Sequence, residues 1–196
     1  MVPNVQKDLI MIWFTSDLHI GHEAIIKYCN RPFASVQEMN DTIVKRWNQR
    51  VQPHDTVWVL GDLTLMPYQQ AWPILSQLNG KKYLIKGNHD KFSTAQYEKL
   101  GFTVLLEVKL KLFGKVFRLS HYPYKPSWLR KWFCFPSELR FLEHRPSKIK
   151  GEWLLHGHTH SPNTKYKNSI HVGVDAHEFY PVSIKKLESL VNSSKE

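Results

Sequence analysis

Five apolar runs along the chain stop abruptly on polar side chains. Ile10-Met11-Ile12-Trp13-Phe14-Thr15 ends in Ser16-Asp17-Leu18-His19, and Val57-Trp58-Val59-Leu60 ends in Gly61-Asp62. Lys82-Tyr83-Leu84-Ile85 runs into Gly87-Asn88-His89-Asp90, Lys115 to Leu119 into Ser120-His121, and Glu152-Trp153-Leu154-Leu155 into His156 to His160. Short apolar runs bounded by turn residues predict buried strands. A carboxylate at the tip of a buried strand sits at the mouth of a sheet, where α/β proteins commonly bind ligands.

Helical spacing fills the intervals. A short helix follows Ile20-Gly21-His22-Glu23 and stops before Arg31-Pro32, because the residue before proline avoids helix geometry. Ser35-Val36-Gln37-Glu38 is a capping-box signature and opens a helix through Met39, Ile43, Val44 and Trp47 to about Val51. Tyr68 to Leu78 predicts a helix that Pro73 kinks or interrupts, closed by Asn79-Gly80. Ser93-Thr94-Ala95-Gln96 caps a short helix to Leu100, and Ser183 to Val191 predicts a C-terminal one. Val104 to Leu112 and Lys115 to Ser120 flank Phe113-Gly114, which predicts a hairpin with a two-residue turn. Ile170 to Asp175 reads as a further strand, and Asn192 to Glu196 as a fraying tail.

A length of 196 residues favours one domain with one substantial core. The reading is a single domain over 1–196, with 1–10 as an N-terminal extension and 122–150 as a basic, aromatic insertion near the site. The formal net charge of +10 suits an acidic partner such as a phosphate ester or nucleic acid; solubility alone would also account for it. Cys29 and Cys134 form no CxxC pattern, which argues against a disulfide framework or a thiolate zinc site and fits a reducing cytoplasm. No run approaches about 20 apolar residues, so no membrane span is expected.

The chemistry lies in the polar loop residues. Asp17 and His19 are two apart, so an extended backbone would point both the same way, and their O and N donors suit Mn, Fe or Zn. His22 and Arg31 flank this loop. They fit contacts to substrate phosphate, or equally a helix-surface histidine and a structural arginine. His54 is expected in an exposed turn, His156 and His171 as support for ligands, and His177 has no assignment.

Taken in order, Asp17-Leu18-His19, Gly61-Asp62, Gly87-Asn88-His89-Asp90, His121 and Gly157-His158-Thr159-His160 resemble the motif set of the calcineurin-like metallophosphoesterases. The resemblance spans residues 17 to 160 and is specific as an ordered set, not in any one motif. It implies an α+β fold: a four-layer α/β/β/α sandwich of two mixed β-sheets with the site at the loop ends. It also implies two divalent metals, Mn²⁺ foremost, with Fe, Zn²⁺ or Ni²⁺ as alternatives. Asp17, His19 and His160 would hold the first metal and Asn88, His121 and His158 the second. Asp62 would bridge them, a role that needs a carboxylate with two oxygens. His89 would be the general acid.

The activity implied is hydrolysis of phosphate esters, with phosphodiesters of nucleotides or nucleic acid favoured. Where the protein phosphatases of this fold carry a further Asp and an Arg, Leu65 and Met66 stand instead, and Asp90 replaces their usual Glu. Both departures speak against a phosphoprotein substrate. The alternatives are a monoesterase or protein phosphatase, and a non-catalytic binding module such as the retromer subunit of this fold. Retention of all seven ligands and His89 opposes the last. Between Lys109 and Lys150 eleven Lys and Arg stand against Glu138 and Glu143, nearly the whole net charge. Arg130 and Lys131 lie there among Trp128, Trp132 and Phe133. Rings interleaved with cations suit a wall that binds a nucleotidic substrate; the same rings would equally make a local mini-core with the cations facing water.

Overall fold

Two mixed five-stranded sheets pack face to face. The computed structural model describes residues 10–126 and 141–193. In the first sheet β1 (Ile12–Thr15), β2 (Thr56–Val59), β3 (Lys81–Ile85) and β4 (Phe102–Leu105) run parallel in that order. In the second, β5 (Val108–Leu112) pairs antiparallel with β6 (Lys115–Leu119), which lies parallel to β7 (Glu152–His156). β8 (Lys165–Tyr166) pairs with β9 (Ser169–His171), and β9 lies parallel to β7. β10 (Val182–Ser183) closes the first sheet antiparallel to β1. This is the α/β/β/α sandwich of an α+β protein.

Successive residues of β1 feed opposite faces, which is why the run alternates poorly. Trp13 joins Val57, Val59 and Leu84 against helices α1 (Glu23–Tyr28), α2 (Val36–Arg50), α3 (Tyr68–Leu75) and α4 (Thr94–Lys99). Met39, Ile43 and Trp47 from α2 and Ala71 and Leu75 from α3 fill that core. Phe14, Leu60 and Ile85 point the other way and meet Phe117, Leu119, Leu155 and Ile170 between the sheets. Helix α5 (Ile184–Asn192) adds Leu187 and Val191 to this second core. Lys165 Nζ from β8 donates to Leu190 O at 2.6 Å and Ser193 O at 2.8 Å, a cation on the carbonyls that end the helix.

Ser35 caps α2 through Glu38 N, but Glu38 Oε2 reaches Ala34 N instead of Ser35 N, so half of the expected box forms. The complete box is Ser93 with Gln96 on α4. The helix from Tyr68 ends at Leu75, two residues after Pro73, rather than running on to Leu78. Phe113 and Gly114 turn the hairpin with φ of 52° and 68°, both left-handed, as a type I′ turn requires.

Two expected strands differ. Val104 to Leu112 is not continuous: the chain leaves the first sheet after Leu105, passes an exposed Leu106, and enters the second at Val108. Ile170 to Asp175 is a strand only as far as His171 and then turns into a 3₁₀ helix at Val174–Ala176. Among the described residues no helix is long and apolar enough to cross a membrane. Residues 1–9, Trp128, Arg130, Lys131, Trp132, Phe133 and the last three residues lie outside the described residues, so the expectations placed on them are not addressed by the fold.

Candidate metal centre

All five expected loops meet at one end of the sheets. Their backbones are not the extended strand tips predicted from the i, i+2 spacing. Asp17, His19, Asp62, His158 and His160 have φ of 59°, 50°, 58°, 71° and 48°. Left-handed backbone is uncommon outside glycine and costs of order 1–3 kcal/mol in the more strained cases. Here it turns each ligand out of the strand direction into a shared space. Hydrogen bonds hold the loops in register: Asp17 N donates to Gly61 O, His19 N to Asp62 O, and Gly157 N to His121 O, each at 3.0 Å. A side chain at Gly87 would strike the Asp62 carboxylate, and one at Gly157 would strike Ser16 and the Asp17 carboxylate. Both positions need glycine for this approach.

The side chains form two overlapping groups. Asp17, His19 and His160 bring donor atoms together, as do Asp17, Asp62 and His121. Asp62 Oδ2 stands 3.5 Å from His19 Nε2 and 3.5 Å from His121 Nε2. His121 Nδ1 donates to Leu60 O at 2.8 Å, which leaves Nε2 with its lone pair. That lone pair faces Asn88 Oδ1 and His158 Nδ1, each 3.1 Å away. His19 is buried, and neither of its ring nitrogens has a hydrogen-bond partner. Buried donors without partners are costly. Converging lone pairs and orphaned imidazole nitrogens fit cations, and the N/O donor set without thiolate fits borderline-to-hard divalent metals.

The electrostatics agree. Burial holds His19 well below its ordinary range, helped by His160 and Arg31, and pushes His158 down to about 3. Both rings are therefore neutral, the form that ligates. His160 differs. Burial alone would lower it, but Asp175 Oδ2 accepts from Nδ1 at 2.8 Å and raises it to about 10. The same contact fixes one proton on Nδ1, so a metal binding at Nε2 would displace the second proton and complete the usual carboxylate–histidine–metal arrangement.

The surrounding groups explain the other candidates. Arg31, considered for substrate phosphate, is buried and used inside the protein. Its guanidinium donates to Asp17 O at 2.8 Å and Leu18 O at 3.1 Å and grips Asp175 with Nε and Nη2 at 2.8 and 3.0 Å. His22 is half-buried beside the site, with its ring 5.4 Å from His19 and 6.2 Å from His89. His89 N donates to Asp62 Oδ1 at 2.9 Å, and its ring lies 5.3 Å from that of His19. His54 is exposed. His177 Nε2 meets His171 O at 2.8 Å.

Asp175 was legible only as the end of a strand, yet it orients both His160 and Arg31. Asp90 was legible only as a motif letter. Its carboxylate accepts from Asp62 N, Gly87 N and Leu63 N at 2.7, 2.8 and 3.0 Å, and from Tyr97 OH at 3.2 Å, so it binds the Asp62 and Asn88 loops to each other. Ser16 Oγ donates to Asp17 Oδ2 at 2.6 Å.

The sequence model of the calcineurin-like phosphoesterases matches residues 10–185, and the chain belongs to that family. It is 36% identical to an uncharacterized protein of Methanocaldococcus jannaschii over 94% of this chain and 93% of that one. It is 32% identical to the gene 66 protein of mycobacterium phage L5 over 84% of this chain and 86% of that one. A solved structure of a protein of unknown function from Aquifex aeolicus superposes with a TM-score of 0.68 at 26% identity, covering 93% of this chain and all of that one. Family membership makes the chain a metal-dependent phosphoesterase.

Proposed function

We propose that the protein is a dinuclear metallophosphodiesterase, folded as one domain and working in a reducing cytoplasm. The observation that carries this reading is Asp62 Oδ2, equidistant at 3.5 Å from one imidazole of each ligand set. Asp17, His19 and His160 would hold one cation, Asn88, His121 and His158 the other, and Asp62 would serve both. Mn²⁺ is the metal the family resemblance favours, and the mixed imidazole and carboxylate donors would also accept Fe, Zn²⁺ or Ni²⁺. When bound, the pair would activate a water at neutral pH and neutralise charge growing on the phosphoryl oxygens.

The chain's own residues do the rest. The amide of His89 fixes one oxygen of Asp62, so Asp62 is aimed before any metal arrives. The His89 ring stands beside His19 and His22 and donates a proton to the leaving oxygen. General acids contribute roughly 10²–10⁴-fold. His22 lines the same rim and contacts the substrate phosphate. Leu65 and Met66 occupy the rim next to His89, where a protein phosphatase would place charge. That absence speaks against a phosphoprotein, and the net charge of +10 suits an anionic substrate in general.

The test is turnover of bis(p-nitrophenyl) phosphate and p-nitrophenyl phosphate by protein reconstituted with Mn²⁺, Fe²⁺, Zn²⁺ or Ni²⁺. Faster diester hydrolysis with Mn²⁺ is expected. Hydrolysis of neither ester with any of the four metals would end the enzyme reading.

A further inference from the structure

An open groove of about 1030 Å³ borders the Gly157–His160 loop, with Thr159 on its wall. Its volume is at the upper limit for small-ligand pockets, and its lining is unlike one. Exposed Lys148, Lys150 and Lys167 stand over it, while Glu152, the acidic side chain in its wall, is paired with Lys109 at 2.6 Å. Two rings sit among these cations: Lys148 Nζ lies 5.6 Å from the centre of half-buried Tyr124, and Lys167 Nζ 5.5 Å from Tyr166, which is 59% exposed. The floor holds His171, 2% exposed, with both ring nitrogens unpartnered.

We propose that this groove binds single-stranded nucleic acid and leads it to the metal loops, an inference that rests on the phosphodiesterase reading. The lysines take backbone phosphates, and Tyr124 and Tyr166 stack bases. Cations interleaved with accessible ring faces are what an unpaired strand requires, since a duplex hides its base faces. The groove adjoins His158 and His160 through Thr159, so a strand lying in it passes the reacting end of the molecule.

The test uses the full chain with Mn²⁺ and a fluorescent, hydrolysis-resistant phosphorothioate oligothymidylate, followed by anisotropy at several salt concentrations. Each phosphate contact on a single strand adds about 0.7 to the log–log salt slope. K148E/K150E/K167E should therefore lower the slope by about 2 and weaken binding at least tenfold at low salt. Tyr124→Ala and Tyr166→Ala should each weaken binding roughly 5- to 100-fold with the salt slope unchanged. All variants should hydrolyse bis(p-nitrophenyl) phosphate like the parent. Binding of the deoxy strand or of oligouridylate supports the groove. Unchanged affinity in every variant, equal affinity for a duplex of the same length, or no binding at all would overturn it. A parent that cleaves the small diester yet ignores oligonucleotides removes the groove alone. A parent that binds them but cleaves no diester removes the phosphodiesterase reading alone.

Discussion

Asp175 and His160 meet at 2.8 Å, carboxylate to Nδ1, and that contact sets which nitrogen of His160 can face a metal. Burial disfavours the charge on Asp175, but hydrogen bonds from His160 and Arg31 outweigh it and hold the carboxyl below its usual range. The site's electrostatics are thus organised from behind the ligands. Asp175→Asn should keep the fold and lose about 10- to 100-fold in affinity for one metal of the pair. Titration calorimetry with Mn²⁺ would read this as one weakened and one unchanged class of site. Equal weakening of both would assign Asp175 a merely structural role.

Asp62 touches both ligand sets, so its loss should act on both metals. Asp62→Asn is expected to lower the metal content from near two per chain to below one and to abolish turnover. Asp17→Asn should leave more of each. Metal analysis after gel filtration decides the order, and a larger loss in Asp17→Asn would move the bridging role to that residue.

His89 donates its amide to Asp62 and keeps its ring free of that contact. His89→Ala should retain both metals. It should lose roughly 10²–10⁴-fold in kcat on an alkyl diester, whose leaving group needs a proton, and far less on a nitrophenyl ester. An equal loss on both substrates would mean that His89 supports the metals instead.

The clustered donor side chains were legible in the sequence because each follows one of five strands within a few residues. The backbone that aims them was not. Asp and His at positive φ leave no mark comparable to a glycine, so Asp17 and His19 read as extended. The break at Leu106 was invisible for another reason: alternation reports that a residue faces a sheet, not which of two sheets. Asp175 and Arg31 come together across 144 residues, and no spacing rule reaches that far.

Asp90 joins two loops through three backbone amides, and this is also a stability statement. Asp90→Ala would bury those amides without acceptors and should destabilise the fold by about 3–5 kcal/mol, lowering metal affinity with it. Urea unfolding, with and without Mn²⁺, measures both effects. Asp90→Asn should sit between the parent and the alanine variant.

A second buried carboxylate lies at the other end of the first sheet and makes stability depend on acid. Asp55 accepts from Met11 N, Trp13 Nε1 and Gln52 N, each at 2.9 Å, which pins the start of β1 to the turn before β2. Burial would raise its pKa, but these donors and nearby His54 outweigh burial and lower it. The folded pKa lies below the unfolded value near 3.9, so the folded protein favours the charged form. Its contribution is therefore full above about pH 4 and disappears as pH falls through the folded pKa. Asp55→Asn keeps the shape but turns an amide N–H₂ toward these donors. It should cost about 3 kcal/mol at pH 7 and much less near pH 2. Urea midpoints of parent and variant at both pH values test this. A gap of the same size at pH 2 would mean that shape, not charge, makes Asp55 the anchor.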